Sequence, residues 1–135
     1  MIISSIYKIA DNDGLIAHIY EHLLAQYVLK RLQDNEFFVL SDIILSAKTY
    51  GDTCFMDAEL YSPEVKKTYD EALREFDKLV ISEDDILRAA SECGIEMNRN
   101  IVEVDRSELS KKLREVQISP WRKQIDMAYR KAHDE

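Results

Sequence analysis

Residues 15–32, LIAHIYEHLLAQYVLKRL, decide how the rest of the chain is organised. Apolar side chains recur there at spacings of three and four, which is typical of a helix with one buried face. The members of this apolar stripe are Leu15, Ile16, Ile19, Leu23, Leu24, Tyr27 and Val28. The preceding residues 11–14, DNDG, have the composition of a turn and a helix cap, so we expect the helix to begin beside Gly14.

The other half of this helix carries His18, Glu21 and His22, with Ala17 and Ala25 as their neighbours. A solvated helix face normally carries long charged or polar side chains at such positions. Small residues around two histidines indicate instead a helix that is covered on its second side, with room left for a ligand.

The spacing of the histidines indicates a metal site. His18 and His22 are four residues apart, so both imidazoles can face one ion, and Glu21 is placed to act on a water rather than to bind the metal. This order, H-x-x-E-H, is the inverse of the common zinc-protease motif. The alternative is a pair of ordinary surface or core histidines with hydrogen-bond partners.

A zinc site with two histidines needs a third protein ligand and an open position. Glu92 and Glu96 lie four apart on a predicted helix, and one of them is expected to be the ligand while the other holds a histidine in place. Cys93 is a soft-ligand alternative, although such a cysteine is more often a small buried apolar residue.

Sequence patterns assign the rest of the chain to alternating strands and helices. Strands are predicted for residues 1–10, 37–47 and 53–61, with a hairpin at residues 50–52, and helices for residues 62–80, 82–97, 107–117 and 119–133. We therefore predict an α+β fold, a single mixed or antiparallel sheet packed against helices, in one domain spanning residues 1–135.

Composition narrows the function classes. The chain has 135 residues and a formal net charge of −8, which argues against binding a nucleic-acid backbone. No apolar run is long enough to span a membrane, and the N-terminus shows no secretory leader. Two cysteines make no disulfide framework, so a cytoplasmic location is expected.

Three segments, in this order, resemble the insulinase/pitrilysin family of inverted-zincin metallopeptidases. Residues 14–23, GLIAHIYEHL, are similar to the family's Gly-x-Ala-His-x-x-Glu-His-Met/Leu signature, with one extra residue after the glycine. Residues 46–55, SAKTYGDTCF, resemble the strand that usually begins Asn-Ala-x-Thr, with serine in place of asparagine. Residues 82–97 resemble the acidic helix that delivers the third zinc ligand. The resemblance covers about residues 1–100, and residues 103–135 are expected to form a helical extension of unknown role.

The resemblance implies zinc-dependent hydrolysis of a peptide that is held as an added β-strand beside the metal. His18, His22 and Glu96 would bind Zn²⁺, Glu21 would serve as general base and later as general acid, and Glu92 would lie one turn before the ligand glutamate. The strand edge that receives the substrate would be formed by Ser46, Ala47, Lys48 and Thr49.

Family members are built from two halves, and their substrate-contacting arginine and tyrosine come from the half that has no counterpart in this chain. We therefore expect a homodimer or a heteromeric partner subunit to complete the site, with a short peptide or precursor as substrate and neither nucleic acid nor membrane as partner. The alternative function is a non-catalytic peptide-binding or assembly subunit with the same fold.

Overall fold

The computed structural model describes residues 1–9, 14–96, 106–118 and 121–126, with every side chain in these ranges except those of residues 94–96, 106, 121 and 122. The elements in chain order are β1 (Ile2–Lys8), α1 (Leu15–Asp34), β2 (Ile43–Tyr50), β3 (Thr53–Leu60), α2 (Pro63–Phe76), α3 (Glu83–Glu96), α4 (Arg106–Ile118) and β4 (Trp121–Asp126). The predicted α+β class is confirmed. Within the described ranges, no helix combines the length and the apolar character needed to cross a membrane.

The described strands form one antiparallel sheet with the order β2-β3-β1-β4. The predicted hairpin joins β2 to β3 through Gly51 and Asp52, and Gly51 has a φ of 59°, in the left-handed region that favours glycine. Of the four strands, β2 and β4 lie at the two edges, so one side of β2 carries no pairing strand among the described residues.

Alternation along β3 explains which face of the sheet carries the helices. Its buried side chains are Cys54, Met56, Ala58 and Leu60, whereas the residues between them are half-buried. α1 packs on this buried face, against β2 and β3, and is itself covered by α2, α3 and α4. The N-terminal half of α1 is therefore covered on both sides, as the small residues beside its histidines predict, whereas Gln26, Lys30 and Gln33 of its C-terminal half are exposed.

Serine caps fix the starts of two helices. The Val65 N–H donates to Ser62 Oγ at 3.2 Å, with Pro63 at the first helical position, and the Asp85 N–H donates to Ser82 Oγ at 3.2 Å. These starts agree with the prediction, but α2 ends at Phe76 and not near Val80. The described part of α3 ends at Glu96, and its predicted continuation to Met97 lies outside the described residues.

The predicted strand over residues 37–47 is wrong in its first half. β2 begins only at Ile43, because the chain turns before it: the Phe38 N–H donates to Asp42 Oδ2 at 2.8 Å, and Leu40 has a φ of 75°. The apolar residues of this turn, from Phe38 to Leu40, are exposed. Their β-favouring composition is outweighed by the local hydrogen bonds of the turn.

The predicted helix over residues 119–133 is also wrong, because residues 121–126 form strand β4. β4 pairs antiparallel with β1, placing Lys123 opposite Ile6 and Ile125 opposite Ser4. The backbone of β1 has a second side that β3 leaves unpaired, and a short extended segment satisfies those groups. The helical extension expected for residues 103–135 is thus a helix at Arg106–Ile118 followed by a strand, and residues 127–135 lie outside the described residues.

A small polar cluster ties α1 to α2. Tyr27 Oη donates to Glu75 Oε2 at 2.8 Å, and Arg31 Nε donates to the same oxygen at 3.0 Å. Hydrogen bonds from Arg31 and then from Tyr27 hold the pKa of the Glu75 carboxyl below its ordinary value of 4.5. Because the folded pKa is the lower one, the unfolded chain binds more protons in this range, so Glu75 stabilises the fold fully above pH 4.5 and loses this effect as the pH falls through the folded value.

We expect Glu75→Gln to lower the free energy of unfolding at neutral pH and to matter less in acid. The difference between wild type and variant should shrink as the pH falls below 4.5, because the wild-type carboxyl is then protonated as well. Urea unfolding over a pH series measures this, with Glu64→Gln, an exposed residue of α2, as the matched control. A difference that does not change with pH would show that the carboxylate has no such role.

Gly14 places the first turn of α1. It has a φ of 78°, its carbonyl accepts from the His18 N–H at 3.0 Å, and a Cβ built on it would lie 2.9 Å from Gly51 O. Gly51 also has a left-handed backbone conformation, but a Cβ built on it would have no atom within 4 Å. Comparing the same substitution at the two glycines therefore distinguishes the stability cost of backbone strain from that of a steric clash.

We expect Gly51→Ala to lose about 1–2 kcal/mol of stability through left-handed strain alone. Gly14→Ala should lose clearly more, because the same strain is joined by a clash with backbone that cannot swing away. Thermal and urea unfolding measure both losses. Equal losses in the two variants would contradict the close approach of the α1 start to the β2–β3 hairpin.

Candidate metal centre

The histidine motif lies in the first two turns of α1. His18, Glu21 and His22 are half-buried, and the side chains of Glu21 and His22 are 11% and 17% exposed. Ala17 is fully buried beside them. The three polar side chains therefore lie in a confined space rather than on an open helix surface.

α3 brings a thiol to the two imidazoles. The buried residues of α3 are Ile86, Ala89, Ala90 and Cys93, a stripe at helical spacing, and α3 packs against α1. One ring nitrogen of His18, one of His22 and Cys93 Sγ all lie within 4.8 Å of one another. Two imidazoles and a sulfur at this separation are a donor set suited to Zn²⁺.

His18 supplies an independent indication that this space accepts a ligand. Its Nδ1 is buried and has no hydrogen-bond partner among the described residues. Buried polar atoms are nearly always paired, so an orphaned nitrogen on a histidine of this cluster calls for an explanation. The donor set fits a transition-metal ion, because these are the ligands that zinc takes up in proteins.

His22 is held from the other side by α3. Its Nδ1 lies 3.5 Å from Glu92 Oε2, and the Glu92 side chain is 45% exposed. A carboxylate at Nδ1 favours the tautomer that directs Nε2 toward a metal, which is the arrangement found around metal-binding histidines. Of the two roles predicted for Glu92, the geometry matches the one that holds a histidine in place.

Glu21 lies between the histidines and β2. Its Oε2 is 3.7 Å from His22 Nε2, and its Oε1 accepts from Thr49 Oγ1 at 3.2 Å. A carboxylate fixed by a neutral hydroxyl beside a candidate metal ligand can take up and release a proton at that place. The sequence indicated the position of Glu21 but not its link to Thr49.

The four residues predicted to bind substrate, Ser46, Ala47, Lys48 and Thr49, all lie in β2. β2 is an edge of the four-stranded sheet, and the half-buried Ala47 and Thr49 point to its helix-covered face. Ser46 and Lys48 are exposed on the other face. The structure thus places these residues on an edge strand, and one of them, Thr49, contacts Glu21.

Cys54, the second cysteine, lies under α1 and outside the donor cluster. Its Sγ donates to the Ala17 carbonyl at 3.0 Å, and Thr49 Oγ1 approaches it at 3.7 Å. Burial raises the pKa of the Cys54 thiol to about 12. At neutral pH this thiol keeps its proton, which is unfavourable for metal binding.

The remaining predicted ligand, Glu96, is the last described residue of α3, and its side chain lies outside the described part of the chain. Cys93, which the sequence favours as a small apolar residue, is brought to both histidines. Its place in the Ile86-Ala90-Cys93 stripe indicates burial, but not that it meets the histidines.

We expect the purified protein to bind about one zinc ion per chain. His18→Ala and His22→Ala should each lose it, because two remaining donors hold zinc poorly. Metal content by mass spectrometry and titration with zinc measure this, with His133→Ala as the matched histidine control. A protein that contains no zinc and does not take up added zinc would contradict the metal centre.

Known proteins give no guide to the role of this site. Comparison with protein-family models, with curated proteins and with solved structures finds no significant match to the chain. The resemblance to the insulinase/pitrilysin family therefore stays a prediction from the sequence motifs, and the function is argued from the side chains themselves.

Proposed function

We propose that the protein is a zinc-dependent metallopeptidase of the inverted-zincin type. The observation that carries this proposal is the meeting of His18, His22 and an α3 sulfur within 4.8 Å, beside a Glu21 carboxylate that β2 holds in place. Metal-assisted hydrolysis requires at least a set of metal ligands and a nearby group that accepts a proton.

His18 and His22 would hold the metal together with a third ligand from α3, for which the resemblance implies Glu96. When bound, zinc would lower the pKa of a water and polarise a peptide carbonyl. Glu92 would keep the His22 ring in the tautomer and orientation that metal binding needs.

Glu21 would move the protons of the reaction. Its carboxylate takes a proton from the attacking water and later gives that proton to the departing amine nitrogen. The bond from Thr49 Oγ1 to Oε1 keeps Oε2 on the side of His22, where that transfer has to occur. The two carboxylate oxygens therefore have separate roles, one anchored and one reactive.

A peptide substrate would pair with the open side of β2. An edge strand presents unpaired backbone donors and acceptors, so an extended peptide gains affinity there without strict sequence recognition. Because Thr49 belongs to β2 and contacts Glu21, a peptide on this edge would pass close to the proposed base.

The proposal includes a second copy of the chain or a partner subunit, because the family's substrate-contacting arginine and tyrosine have no matched position here. It also includes a cytoplasmic location, since Cys54 and Cys93 both lie outside disulfides and a reducing compartment preserves such thiols. A mass measurement in solution tests the assembly.

Glu21→Gln tests the catalytic role. The variant should keep the zinc and the fold, because Glu21 is not a ligand, but peptide cleavage should fall by about 10²–10⁴-fold with the loss of the proton acceptor. Cleavage of a mixture of short quenched-fluorescent peptides, followed by mass spectrometry of the products, measures this.

Glu115→Gln, on the exposed side of α4, is the matched control and should cleave like the wild type. Retained activity in Glu21→Gln would remove Glu21 from its role. A wild type that binds zinc and peptides without cleaving any of them, alone or as the assembled oligomer, would support the non-catalytic peptide-binding function instead.

A further inference from the structure

We propose that the thiolate of Cys93 is the third protein ligand of the metal, in the place where the resemblance implies a glutamate. This inference rests on the proposed metal centre and specifies its composition. The described geometry gives the site a His₂Cys donor set, contributed by α1 and α3, in place of His₂Glu.

The position of Cys93 in the core supports its role as a metal ligand. Cys93 is fully buried, and its Sγ lies within 4.8 Å of a nitrogen from each histidine. Side chains on the α1-facing stripe of α3 are held by packing against α1, so this approach is fixed by the core and not by a flexible loop. A ligand set held by packed helices needs little rearrangement to close on an ion.

The unpaired nitrogen of His18 also supports a metal ion at this place. Nδ1 is buried without a hydrogen-bond partner among the described residues, which is costly unless something else satisfies it. A cation bound by this imidazole would do so.

Glu92 faces a histidine of the donor cluster but does not itself belong to that cluster. Its Oε2 lies 3.5 Å from His22 Nδ1, and its side chain is 45% exposed. Glu92 therefore positions a ligand. Glu96 follows Cys93 by three residues in the sequence, and it is the competing ligand in the test.

The chemistry of the set is consistent with zinc. Thiolate and imidazole together favour zinc over Mg²⁺ and Ca²⁺, which prefer oxygen ligands. Three protein ligands would also leave one tetrahedral position for water, as hydrolysis requires.

Cobalt substitution tests the ligand directly. We load the full-length protein with Co²⁺ and record its absorption spectrum, in which a thiolate ligand produces an intense near-ultraviolet charge-transfer band. The band should be present in the wild type and in Cys54→Ala, the matched control for the other cysteine, and absent in Cys93→Ala. Zinc affinity of Cys93→Ala should fall by more than the roughly 10–100-fold expected for losing an outer partner such as Glu92.

X-ray absorption of the zinc-loaded wild type identifies the ligand atoms without any variant, so a misfolded variant cannot affect the result. We expect one sulfur at about 2.3 Å from zinc, a distance clearly longer than that of nitrogen or oxygen ligands. Glu96→Gln should keep both this sulfur and the cobalt band.

Zinc bound through nitrogen and oxygen alone, or a cobalt band that survives in Cys93→Ala, would overturn the role of Cys93 and leave the peptidase proposal standing with Glu96 as ligand. A protein that binds neither zinc nor cobalt would overturn both. The two proposals can therefore fail separately.

Discussion

Helix α1 is enclosed by two strands and three helices, and this enclosure sets the conditions for the rest of the structure. Half-buried polar side chains on such a helix need hydrogen-bond or ionic partners from the neighbouring elements. Thr49 of β2 reaches Glu21, Glu92 of α3 reaches His22, and Glu75 of α2 reaches Tyr27 and Arg31. β2, α2 and α3 are thus tied to α1 by polar contacts as well as by packing.

Local signals predicted the elements that form by local interactions. The α1 stripe, the Gly51 hairpin and the serine caps of α2 and α3 were recognisable because their causes lie within a few residues of one another. Residues 121–126 could not be assigned in this way. Their apolar residues Trp121 and Ile125 fit a helical spacing, and only the open side of β1 makes a strand the better solution.

The residues of the candidate site likewise fall into those that the sequence alone could group and those that it could not. His18, Glu21 and His22 could be grouped from spacing alone, because one helix carries all three. Cys93 could not be grouped with them, since nothing in a sequence states which residue of the α3 stripe meets which turn of α1. The contact between Glu21 and Thr49 was hidden for the same reason: it depends on the register of β2 beneath α1.

Exchanging a glutamate for Cys93 would change the softness of the donor set without changing its charge. Two neutral imidazoles and one anion surround the metal in either case, so the charge that polarises a water or a carbonyl is formally the same. The thiolate narrows the choice of metal, while metal binding displaces its proton and makes affinity depend on pH. Glu21 would still be the carboxylate that moves protons, and its anchor lies on β2. Base, metal ligands and peptide-binding edge would therefore be aligned by the packing of α1 between β2 and α3.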